Sequence, residues 1–169
     1  MSDNSNISKL DATPGMALLD CVLVLFFWAM ISLIGSLWSF PLYWVGAVLM
    51  GLAGTAKALW KVVKAFSGKD IPVLSKYFGP VMGTGFLLVL LAVLLDHRSG
   101  AIHLLWEALK SPPAPLFFLL GALGLVVMTV LRMRLDFSTR RANYIAEVTN
   151  SIAQGLFLAG MICAKTAVS

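Results

Sequence analysis

Apolar residues in this chain form long unbroken runs, and polar residues mark where each run stops. From Cys21 through Ala56 no side chain is charged. About 20 apolar residues suffice to cross a bilayer, so this stretch holds two spans or one long broken helix. The pattern predicts a first helix over Pro14–Trp38, with an apolar core from Cys21 to Leu37. Thr13-Pro14 supplies its start, a hydroxyl cap followed by proline at the first helical position. Ser39-Phe40-Pro41 supplies the break, because proline lacks a backbone donor and disfavours helix at the residue before it. Trp38, Tyr43 and Trp44 flank this break, as a belt at a membrane surface does. Asp20 sits near the entrance of the first helix. There a carboxylate is either tolerated by the positive helix end or paired with a lysine of a neighbouring helix.

The region Tyr43–Asp96 reads as a hairpin. Its arms are apolar, Tyr43–Ala56 and Phe78–Leu95, and its connector carries Lys57, Lys61, Lys64, Lys69 and Lys76 against one acid, Asp70. The second span is placed at Leu42–Leu59, and its helix continues beyond the apolar part. Lys57, Lys61 and Lys64 recur at helical spacing and so share one face, which suits anionic lipid headgroups. Ser67-Gly68-Lys69-Asp70 is expected to end that helix, with Pro72 a second irregular point. Gly46, Gly51 and Gly54 on one arm, and the GxxxG pair Gly79 and Gly83 on the other, are candidate helix-packing positions.

After Asp96-His97-Arg98 the chain turns interfacial. Ala101–Lys110 is short and mixed in character, and Ser111–Pro115 forms an extended linker before a fourth span over Leu116–Leu131. The last segment, Ala142–Ala164, is apolar from Leu156 to Cys163 but polar at Thr149, Asn150, Ser151 and Gln154. It either lies along the surface or forms a fifth span whose polar residues face protein; the apolar half favours a span. The division is therefore a polar tail (1–13), a helical membrane region with the basic hairpin (14–96), an interfacial linker (97–115) and C-terminal membrane helices (116–169). The fold class is an all-α integral membrane protein of four to five apolar helices.

Composition strengthens this picture. Of 169 residues, 59% are hydrophobic and 12% charged, with a mean hydropathy of +0.88. Soluble domains carry about a quarter charged residues. The net charge of +5 is what basic residues flanking spans produce, so no direct nucleic-acid binding is expected. Positive-inside counting puts the Lys57–Lys76 and Arg132–Arg141 connectors in the cytoplasm, the N-terminus with them, and the C-terminus outside if five spans are present. Cys21 and Cys163 lie in or beside apolar segments and read as small membrane residues, not as a disulfide or metal pair.

Chemistry is sparse. His97 and His103 stand beside Asp96 and Glu107 without metal-ligand spacing. No nucleophile–base signature or phosphate-cradling loop is present, so neither an enzyme nor a cofactor is expected, phospholipid aside. Charged residues avoid the middle of every span, which disfavours transport by this chain alone.

The segment GAVLMGLAGTAKALWKVVKAFSGKDIPVLSKYFGPVMGTGFLLVLLAVLLD resembles the two-helix hairpin of conjugative pilins and pilin-like membrane proteins. In size and span count the chain resembles the TraQ family of IncI-type conjugative plasmids and the related DotE/IcmC proteins of type IVB secretion systems. The resemblance implies a bacterial inner-membrane conjugation component, oligomeric and associated with other proteins of the apparatus. It further implies that Lys57, Lys61, Lys64 and Lys69 match a headgroup-facing basic loop; Lys76 joins them by charge. The expected function is a structural membrane subunit of a conjugation or secretion apparatus. A pilin that forms a lipid-bearing filament and a small transporter or pore are the alternatives.

Overall fold

The computed structural model describes residues 13–71, 73, 76–97, 101–135 and 140–168. The polar tail before Thr13, Pro72 and Arg98 lie outside them. Six helices account for nearly all described residues: α1 (Pro14–Leu37), α2 (Pro41–Ser67), α3 (Phe78–Asp96), α4 (Ala101–Lys110), α5 (Ala114–Arg134) and α6 (Arg140–Val168). All but α4 are long and apolar enough to cross a membrane. The protein is an all-α, membrane-embedded chain.

Local chemistry sets the helix ends. Thr13 accepts from the Met16 amide with its hydroxyl, and Pro14 follows at the first helical position. Phe40, held extended by Pro41, separates α1 from α2. Gly68 ends α2 in the left-handed conformation, at φ 65°, and its amide donates to the Lys64 carbonyl. A side chain at that position would strain the backbone, so glycine is the fitting residue. The last segment, ambiguous in sequence, is one continuous helix of 29 residues. At 1.5 Å per residue it is about 43 Å long, enough to span.

The spans are not arranged in chain order. α1 packs between α2 and α6; α3 packs outside α2, and α5 outside α6. The lateral order is thus α3, α2, α1, α6, α5. Helix α4 lies across one end and touches α1, α3, α5 and α6. That end also holds Trp38, Tyr43 and Asp96 and is called the tryptophan end; the opposite end is the lysine end.

Large side chains face outward and small ones inward. Leu87, Leu94, Leu119 and Leu123 are exposed, whereas most buried apolar residues are alanine, including Ala47, Ala92, Ala153 and Ala164. In lipid no hydrophobic force drives helices together, so close approach between small residues carries the packing. The α2–α3 crossing shows this. A methyl group on Gly46 would lie 2.6 Å from the Gly85 carbonyl oxygen, and one on Gly85 would lie 2.7 Å from that of Gly46. Likewise Gly51 leaves room for the Trp28 ring.

The tryptophan end is closed by polar contacts among buried rings. The Trp38 indole donates to an Asp96 carboxylate oxygen at 2.5 Å, and the Tyr43 hydroxyl donates to the Ile31 carbonyl at 2.7 Å. Trp38 stacks on Phe40 and tilts against Tyr43, and Ile31, Ala47 and Ala92 complete the cluster.

A candidate functional site at the lysine end

Three helices bring ionisable side chains to one point. Lys61 of α2 is only 6% exposed. Its ammonium lies 2.5 Å from Asp20 of α1 and 3.2 Å from Glu147 of α6. Asp20 and Glu147 stand six and seven residues inside their helices, or about 9–10 Å along each axis. The network therefore ties together the three central spans, just inside one end of the bundle. A buried ammonium is costly unless it is paired, and two carboxylates from different helices meet that requirement.

Beside the network is a cavity of about 160 Å³. Its polar lining is Asp20, Lys57, Glu147, Asn150 and Gln154. Leu23, Val24 and Phe27 of α1, Met50 of α2, and Phe78 and Met82 of α3 supply apolar walls, and Gly51 and Gly54 line the α2 side. Glu147, Asn150 and Gln154 are spaced by three and four residues, so they form a polar stripe down one face of α6. The stripe runs about 10 Å from the charged end into the bundle. At its deep end the Gln154 side-chain oxygen is buried without a hydrogen-bond partner among the described residues.

The five lysines of the hairpin take different positions. Lys61 is turned inward and offers no ammonium to lipid headgroups. Lys57 lines the cavity with its ammonium 4.4 Å from the centre of the Phe78 ring. Lys64 pairs with Asp70 at 3.2 Å and lies over the Trp60 ring. Lys69 and Lys76 are exposed, with Lys76 near the Tyr77 ring. Asp70 also accepts from the Trp60 indole at 2.8 Å. These hydrogen bonds, that from Trp60 foremost, hold its carboxyl below the ordinary carboxylate range.

The candidate packing glycines also divide. Gly46 and Gly51 sit at close helix contacts, and Gly54 faces Val24 more loosely at 3.8 Å. Gly79 and Gly83 face open space among the described residues, so their GxxxG spacing serves no contact there. Among the described residues no three potential metal ligands gather. His97 contacts the Leu94 carbonyl, and His103 lies 3.7 Å from Glu107.

The pairing of Asp20 with a lysine was one of two readings open in the sequence, and the structure selects it. The part of Glu147 was not anticipated. Its signal was the recurrence of Asn143, Glu147, Asn150 and Gln154 at helical spacing, a polar face too regular for a lipid-exposed helix. Comparison with protein-family models, curated proteins and solved structures finds no match to this chain.

Proposed function

We propose that this protein is a structural membrane subunit that docks against a second helix, from another copy or a partner, along the outer face of α3. The observation that carries this reading is the open Gly79–Gly83 edge. Most glycines deeper in the other spans mark close helix contact, as Gly35 against Trp44, Gly46 against Gly85, Gly121 against Phe157 and Gly160 against Phe118 do, whereas Gly15 at the start of α1 also faces open space. On α3, Gly85 packs inward on α2 while Gly83 is exposed. A helix with small residues on two faces is suited to two neighbours, and α2 supplies only one.

The hairpin resemblance directs the wider reading. A bacterial inner-membrane assembly of the conjugation or type IVB secretion class is the proposed setting, with the lysine end cytoplasmic by positive-inside charge. In that orientation Lys69 and Lys76, exposed outside the cavity, are the groups available to anionic phospholipid.

The test is crosslinking in the native membrane. In a chain with Cys21 and Cys163 replaced by alanine, Gly83→Cys is expected to give a disulfide-linked dimer or a crosslink to a partner. Leu119→Cys, on the exposed face of α5, is the control. Equal crosslinking at both positions, or none at Gly83, overturns the reading.

A further inference from the structure

We propose that the lysine-end cavity binds a small zwitterion, an ammonium and an acidic group carried on one short, largely apolar body. Three observations lead there. The charged lining groups Asp20, Glu147 and Lys57, taken with the Lys61 ammonium paired to the two carboxylates, sum to zero when ionised. A ligand with net charge would unbalance them in a poorly solvated place, whereas a zwitterion would not. Both signs are present within the same cluster, so an ammonium has carboxylates to meet and an acidic group has Lys57 to meet.

Below the charged end, Phe27, Met50 and Met82 form walls for an apolar body, and methionine adapts readily to shape. The volume of about 160 Å³ fits a molecule of amino-acid size. This site is separate from the α3 edge and stands whether or not that edge docks a partner.

Binding is measured on the full chain in nanodiscs by tryptophan-fluorescence melting and calorimetry. The probes are L-leucine, L-methionine and L-glutamine, with isopentylamine and 4-methylpentanoate as single-charge analogues. At least one zwitterion is expected to raise the melting temperature by a few degrees at millimolar concentration, and neither analogue to do so. Glu147→Gln is expected to weaken all zwitterions about tenfold. If Glu147→Gln fails to fold, Met82→Trp, which fills the cavity from α3, carries the test and is expected to abolish binding. A folded wild type that responds to no zwitterion overturns the proposal. So does an amine or acid that binds as well as the zwitterions, or binding unchanged in Met82→Trp.

Discussion

The Trp38 indole and the Asp96 carboxylate, 58 positions apart in sequence, meet at 2.5 Å in the buried ring cluster of the tryptophan end. This contact joins the end of α1 to the end of α3, two helices separated by α2. It closes the hairpin from the side opposite the Lys61 network.

Trp38→Phe keeps the ring packing and removes the donor, so it is expected to destabilise the fold by about 1.5–3 kcal/mol, the range for a hydrogen bond to a charged group. Asp96→Asn is expected to cost less, because the amide oxygen still accepts. Thermal unfolding in detergent checks both, and the double variant is expected to show strong non-additivity.

For the lysine end the expected order is unusual. Lys61→Met leaves the half-buried Asp20 and Glu147 without the ammonium they share and is expected to cost about 3 kcal/mol. Replacing all three groups, in Asp20→Asn, Lys61→Met, Glu147→Gln, is expected to restore most of that loss. Melting temperatures of the single and triple variants decide the matter; a triple variant as unstable as Lys61→Met contradicts the charge argument.

Gly85→Ala places a methyl 2.6 Å from Met50 Cγ and 2.7 Å from the Gly46 carbonyl. Such overpacking is expected to cost about 1–3 kcal/mol. Gly79→Ala and Gly83→Ala meet open space and are expected to leave the melting of the isolated chain within about 0.5 kcal/mol of wild type. Differential unfolding of purified monomer separates the two classes.

Asp70 gives the connector a pH dependence. Its folded pKa lies below the ordinary 3.8, so its tether to Trp60 and Lys64 is intact above that value. The tether is lost as pH falls through the depressed folded pKa. The Trp60 indole N–H resonance is expected to move at acid pH and to lose that titration in Asp70→Asn. No change between neutral and strongly acid pH would contradict the contact.

How far the sequence carried follows from what periodicity encodes. The breaks at Pro41 and Gly68 and the apolar arms were legible because a proline, a terminating glycine and a long apolar run each act locally. Lys57, Lys61 and Lys64 were correctly placed on one helical face, since spacing alone determines that. What the face meets was not legible: Glu147, 86 positions from Lys61, draws one of the three inward, and no local pattern announces a partner so distant. The glycines teach the same lesson, because GxxxG spacing shows that a helix can be approached closely without naming the approaching helix. The polar half of α6 was ambiguous because a stripe on a helix looks alike facing a water surface or a protein interior.

The lateral order of the spans has a consequence for synthesis. The ribosome releases α1, α2 and α3 first, and these contain Asp20 and Lys61 as a neutral pair. The helix that flanks α1 on its other side is made last, and it carries the second carboxylate. During translation the first helix must therefore keep one flank open until more than a hundred further residues have been made. Only then is the lysine shared between two helices, so the C-terminal segment acts as the closing piece of a structure begun at the other end of the chain.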